Sequence, residues 1–220
     1  MSGRTLVVFA REPKPGLVKT RLARDIGDDA AAELYAAMLR DVFELAAGIE
    51  GCRKVICWAA YGAIPAAYGE YPFEHRLQEG QDLGERMAHG FSTVFAEGLS
   101  PCCLIGSDSP DLPHSHVTQA FALLESGADA VFGPSDDGGY YLVGMSRLHP
   151  ELFKGIAWGT AEVLQQSLRR AGLLGLRAAK LTGWYDIDTL DDLNRLLMSG
   201  SPAAPHTRNA ARLIARKALP

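Results

Sequence analysis

The sequence predicts an α/β fold, a mostly parallel central sheet with helices on both faces. Three observations carry this. Short apolar, β-branched-rich runs recur along the 220 residues. Between them lie segments with apolar residues at helical spacing, the alternation that builds parallel sheets. The polar, Gly- and Pro-rich residues concentrate just after the strand-like runs, where open parallel sheets bind ligands.

Thr5–Ala10 (TLVVFA) is continuously apolar, as a strand buried on both faces requires. Asp28–Ile49 reads as a long helix, with Leu34, Met38, Val42 and Leu45 near helical spacing. Strands follow at Lys54–Ala59, Cys102–Ile105 and Ala128–Phe132, with helices at Leu83–Phe95 and His116–Leu124. Tyr140–Val143 falls outside the simple alternation and reads as a hairpin or extra strand. Helices are expected at Thr160–Ala171 and Leu190–Met198, the latter opened by a capping box of Thr189 and Asp192. Residues 1–200 form one domain. Residues 201–220 form a helical tail after Ser201–Pro205, with Arg208, Arg212 and Arg216 on one face, packed on its own domain or on a neighbouring subunit.

A formal net charge of −4 argues against a broad nucleic-acid surface, so phosphate recognition must be local. No run is long enough to span a membrane and no signal peptide is evident, which makes the cytoplasm the expected location. Cys52, Cys57, Cys102 and Cys103 form no C-x-x-C pair and read as reduced structural thiols.

Four loops are expected to carry the chemistry. The first, Arg11–Arg21, sets Arg11, Lys14, Lys19 and Arg21 around Gly16, a composition suited to a phosphate-bearing ligand. Val18 stands where a Walker loop needs glycine, and no G-x-G occurs in the chain, so P-loop and dinucleotide fingerprints are absent. In Gly106–Pro113, Asp108 ends a buried strand and suits a hard cation; Asp111 suits a turn or the next helix cap. Asp186 and Asp188, two apart in an extended segment, point the same way toward one ion or toward a helix N-terminus. In Gly133–Tyr140, Asp137, Gly138 and Gly139 suit a sugar or other polar ligand, or form a plain glycine turn.

Five motifs in order resemble the nucleotide-diphospho-sugar transferase superfamily, with its three-layer Rossmann-like GT-A fold. They are Pro13–Leu22 (PKPGLVKTRL), Gln78–Met87 (QEGQDLGERM), Gly106–Leu112 (GSDSPDL), Asp137–Gly144 (DGGYYLVG) and Asp186–Leu193 (DIDTLDDL). The nearest group is one of bacterial GT-A-like glycosyltransferases of uncharacterised activity; phospholactate guanylyltransferases and molybdenum-cofactor nucleotidyltransferases resemble the basic loop more distantly. The resemblance implies a Mg²⁺ or Mn²⁺ ion held by Asp108 and Asp188. It also implies phosphates held by Lys19 and Arg21, and a sugar or second substrate near Gly138 and Gly139. Asp108 and Lys19 are the catalytic candidates. Pro110 stands where a D-x-D motif has its second aspartate.

The implied activity is transfer from a nucleotide-activated donor to a small acceptor, with glycosyl transfer from a nucleotide sugar leading. Nucleotidyl transfer from a nucleoside triphosphate, releasing pyrophosphate, is the alternative, and a non-catalytic nucleotide-binding protein the third reading. A homo-oligomer is compatible with all three.

Overall fold

The computed structural model describes residues 3–59, 64–65, 68 and 71–218, without the side chains of 217 and 218. Its strands are β1 (Arg4–Arg11), β2 (Cys52–Ala59), β3 (Glu74–Leu77), β4 (Cys102–Ile105), β5 (Ala130–Pro134), β6 (Tyr140–Met145) and β7 (Ala178–Lys180). The helices are α1 (Ala23–Ile26), α2 (Asp28–Gly48), α3 (Leu83–Ala96), α4 (His114–Glu125), α5 (Val163–Leu173), α6 (Leu190–Met198) and α7 (Pro205–Ala218).

All seven strands form one sheet in the order β3-β2-β1-β4-β6-β5-β7. Only β6 runs antiparallel to its neighbours, wedged between β4 and β5. The Tyr140–Val143 run is therefore an inner strand that returns along β5. Its apolar residues are buried because both faces of the sheet are covered there, Leu142 in one core and Val143 in the other.

The strands sort their side chains by the two-residue period. Along β1, Leu6, Val8 and Ala10 enter one core with α2, α4, α6 and α7, while Val7 and Phe9 enter the other with α3. β2 divides likewise, Ile56 and Trp58 against Val55 and Cys57. A strand buried on both faces needs apolar residues at every position, which is why these runs were legible as continuous.

The two edge strands carried no such signal. β3 is Glu-His-Arg-Leu, and its Glu74 and Arg76 join Arg53 and Glu97 in a surface ion-pair network. β7 is a partly exposed Ala-Ala-Lys. Charged edges of this kind discourage pairing with another chain.

The tail helix α7 packs on α2 of its own chain. Buried Asp41 on α2 accepts hydrogen bonds from the amides of His206 (3.1 Å) and Thr207 (2.7 Å) and from the Thr207 hydroxyl (2.6 Å). A side-chain acceptor thereby satisfies amides in α7's first turn. Among the described residues, no helix is long and apolar enough to cross a membrane. The four cysteines are free, and all but Cys52 are fully buried.

Candidate active site

β1 and β4 are adjacent parallel strands whose outer neighbours lie on opposite sides, so their carboxyl ends open a crevice. The loop after β1 crosses one side of this crevice, and the loop after β4 delivers Asp108. The segment before α6 is tied to it by a main-chain hydrogen bond from the Ile187 amide to the Asp108 carbonyl (2.8 Å). That bond sets Asp188 beside Asp108. The Thr189–Asp192 capping box then fixes the start of α6.

Lys19 lies between the two acids. Its ammonium donates to Asp108 Oδ1 and, at 3.0 Å, to Asp188 Oδ1. The lysine side chain is only 3% exposed, whereas the carboxylates are 48% and 42% exposed. Burial alone would push the Lys19 pKa down, yet the two adjacent carboxylates raise it above the ordinary lysine value. Each attraction amounts to about 4 kcal/mol at the effective dielectric typical of protein sites, so together they outweigh the desolvation. Lys19 is held charged. Its backbone adopts φ +48°, one of two left-handed non-glycine residues among those described. Such conformations persist where the surroundings over-determine them.

Tyr35 of α2 supports this cluster from below. Its hydroxyl accepts from the Arg11 amide (3.0 Å) and shares a hydrogen bond with Ser107 Oγ (2.7 Å), joining the loops after β1 and β4. Burial, with Asp108 nearby, pushes its pKa up to about 12, so it remains a neutral phenol.

Two cavities meet at this point. One, about 300 Å³, is lined by Arg11, Leu17, Val18, Lys19, Thr20, Arg21, Tyr35, Asp108 and Asp188. The other, about 420 Å³, runs over the ends of β1, β2 and β4 to the start of α3, with Gln78, Gln81, Asp82, Arg86 and Tyr140 in its wall. They share Arg11, Tyr35 and Asp108.

The predicted residues thus fall into three groups. Lys19, Arg11, Arg21, Asp108 and Asp188 line one cavity. Lys14 pairs with Glu12 at 2.8 Å, and Gly16 supplies a left-handed turn at φ +75°. Asp137, Gly138 and Gly139 form a turn: the Gly139 amide donates to Asp137 Oδ1 (2.8 Å), and Gly138 has φ +89°. A Cβ on Gly138 would lie 2.1 Å from the Ala161 carbonyl oxygen, so the turn itself already requires that glycine.

Two acids have surroundings that the sequence did not show. Asp186 is not among the residues lining the Lys19 cavity. It accepts hydrogen bonds from Ser109 (2.7 Å) and Ser135 (2.5 Å), joining the loops after β4 and β5. Burial, reinforced by the charge of Asp108, pushes its pKa up to about 6. Asp111 lies in a turn, closed by the Leu112 amide on the Ser109 carbonyl (3.2 Å), but is not the cap: α4 begins after Pro113, and the Asp111 carboxylate accepts from the Trp184 indole (3.2 Å) and Tyr185 hydroxyl (2.6 Å). Sequence reasoning missed Tyr35, Ser107, Gln81 and Arg86. Tyr35 sits at core spacing in α2; Arg86 lay within the Gln78–Met87 motif, the one signal that pointed to it.

The donor chemistry fits a hard divalent cation. Asp108 and Asp188 each engage Lys19 through Oδ1 and are about half exposed toward the cationic cavity. A second cluster, Asp41, Glu44 and His206, brings three ligand atoms within 4.8 Å of one another. Its Asp41 is already occupied with the start of α7, and its His206 pairs with Glu44 at 2.8 Å.

The family model described as "Uncharacterized protein conserved in bacteria (DUF2064)" matches residues 42–160. The chain is similar to a Desulfovibrio desulfuricans G20 protein described as a "putative nucleotide-diphospho-sugar transferase", with a TM-score of 0.89 and 33% identity over 99% of this chain and 98% of that one. A CMP:2-keto-3-deoxy-manno-octonic acid synthetase complexed with CTP shares the fold at TM-score 0.57 and 12% identity, over 89% and 97% of the two chains. So does Rv0371c of Mycobacterium tuberculosis H37Rv, complexed with manganese, at TM-score 0.52 and 18% identity, over 90% and 99%. Among proteins with curated descriptions, none matches the chain.

Proposed function

Because the chain belongs to the bacterial DUF2064 family, and its site holds a charged lysine between two half-exposed carboxylates at the junction of two cavities, we propose that it is a metal-dependent transferase using a nucleotide-activated donor. The junction of the cavities carries this reading. The larger, walled by Gln78, Gln81, Arg86 and Tyr140, accommodates a nucleoside, and the smaller, lined by Arg11, Lys19 and Arg21, its phosphates.

In this reading the three cations neutralise a diphosphate, and the left-handed Gly16 lets the chain turn closely around it. Asp108 and Asp188 would hold Mg²⁺ or Mn²⁺. The ion would supply Lewis-acid stabilisation of charge on phosphate oxygens. Lys19 adds a fixed positive charge to the same region, where preorganised charge is most effective. Tyr35 keeps the loops after β1 and β4 in register and moves no proton, since its phenol stays neutral. Asp137, Gly138 and Gly139 border the place of the transferred group or second substrate.

The transferred group is a sugar, passed from a nucleotide-diphospho-sugar to a small acceptor, the reading favoured by the description of the 33% identical relative. The cationic Lys19-Thr20-Arg21 segment favours a second reading, nucleotidyl transfer with release of pyrophosphate. Incubating the protein with Mn²⁺ and panels of nucleotide sugars or nucleoside triphosphates plus phosphorylated acceptors separates them. Nucleoside diphosphate release supports the first and pyrophosphate release the second. Binding without consumption of any donor would indicate a non-catalytic nucleotide-binding protein. Unchanged turnover in Asp108→Asn would remove the proposed site.

A further inference from the structure

Lys19 is placed unusually for a phosphate-binding lysine. Its ammonium is withdrawn from solvent and fills the space between the two carboxylates that stand as metal ligands. A lysine whose only task is to meet phosphate gains nothing from a site this enclosed, and its backbone is left-handed at this position. We propose that Lys19 is a resident cation that occupies the acidic pair in the ligand-free protein, so that a divalent ion binds well only when a diphosphate arrives with it. The inference rests on the metal-and-nucleotide reading above and adds to it a coupling between the two ligands.

The argument is one of charge and ligand count. Asp108 and Asp188 together carry two negative charges, and Lys19 reduces that to one. Each acid has already committed Oδ1 to the ammonium. A divalent ion arriving alone meets half of the carboxylate oxygens engaged and a positive charge buried beside them. Hard cations of this type bind through one or two carboxylates and substrate phosphates together. A diphosphate in the cavity of Arg11, Lys19 and Arg21 would supply those further oxygens. It would also offer the ammonium a second anionic partner, so that the acids' oxygens turn toward the ion. Binding of metal and diphosphate is therefore mutually reinforcing, and the reinforcement is the same whichever binds first.

The test uses the full chain and two probes, Mn²⁺ alone and Mn²⁺ with inorganic pyrophosphate. Bound Mn²⁺ is read from the loss of the free-ion electron paramagnetic resonance signal, corrected for Mn²⁺ held by pyrophosphate in solution. In the parent, pyrophosphate tightens Mn²⁺ binding by about tenfold or more. Lys19→Met removes the charge while keeping the chain's bulk, and it binds Mn²⁺ alone about tenfold more tightly than the parent. In that variant the gain from pyrophosphate shrinks. Lys19→Arg keeps the charge and stays as weak toward Mn²⁺ alone as the parent. A folded Lys19→Met protein, checked by circular dichroism, that binds Mn²⁺ no better than the parent overturns the proposal. Should that variant not fold, the parent decides: Mn²⁺ affinity independent of pyrophosphate overturns it equally. Loss of Mn²⁺ binding in Asp108→Asn and Asp188→Asn locates the ion at this pair. Absence of Mn²⁺ binding in parent and Lys19→Met alike, with or without pyrophosphate, defeats the metal reading itself and this inference with it.

Discussion

At the scale of single residues, the acids of the site have different tasks because they have different surroundings. Asp108 and Asp188 share a lysine and face the cavity, whereas Asp186 is enclosed by two serines. Its folded pKa, about 6, lies above the usual aspartate value near 3.9. The folded state therefore binds the proton more tightly. The stability linked to that proton is complete below about pH 4 and is lost as pH rises through about 6. Asp186→Asn removes this dependence. Its stability relative to the parent is expected to improve by on the order of 2 kcal/mol between pH 4 and 7, measured by urea unfolding at both values. A difference that stays constant with pH would contradict the assignment. Tyr35→Phe deletes one hydroxyl that serves both the Arg11 amide and Ser107. It should lower stability by about 1–2 kcal/mol and weaken nucleotide binding, read by calorimetry, without changing the helix content.

The elements explain why part of the site was legible and part was not. Asp108 and Lys19 follow β4 and β1, whose continuous apolar runs announce where the sheet ends and the crevice begins. Asp188 precedes a helix with a sequence-visible capping box, confirmed in α6. Tyr35 was hidden because a helix buries its tyrosines at the same spacing as its leucines, and nothing local shows that the hydroxyl lies beneath a loop. Asp111 was legible as a turn residue, but its partners, Trp184 and Tyr185, were not, because they are more than seventy positions away. β3 and β7 escaped because edge strands need no apolar pattern to pair. Two substitutions test the local devices. Gly138→Ala forces a Cβ against the Ala161 carbonyl in a left-handed position. The contact and the strain together should lower stability by about 2 kcal/mol or more, checked by denaturant unfolding. Thr189→Ala removes the α6 cap and should cost about 1 kcal/mol. It should also loosen Asp188, raising the Mn²⁺ concentration needed for turnover.

At the scale of the whole molecule, the sheet separates support from chemistry. One core packs β1 and β2 against α2, α4, α6 and α7, the other against α3 and α5, and the crevice lies at the strand ends between them. The tail belongs to the first core, since Thr207, Arg208 and Ala211 are buried. Removing residues 201–220 exposes the face of α2 that α7 covers and leaves Asp41 without its partners. A lower unfolding temperature and greater self-association on sizing are expected; an unchanged melting curve would show that the tail is dispensable. The net charge is −4, and the cavity at the first loop is lined by three cations, Arg11, Lys19 and Arg21. Binding of a phosphate-bearing ligand in that cavity should therefore weaken with salt.

The bond between the Ile187 amide and the Asp108 carbonyl has a practical consequence. Because it joins the two acidic segments through main chain, the carboxylates cannot drift apart while it holds. The amide proton of Ile187 becomes a built-in reporter. Its exchange with solvent deuterium should stay slow when Asp108 or Asp188 is substituted and accelerate only when the acidic half of the crevice itself comes open.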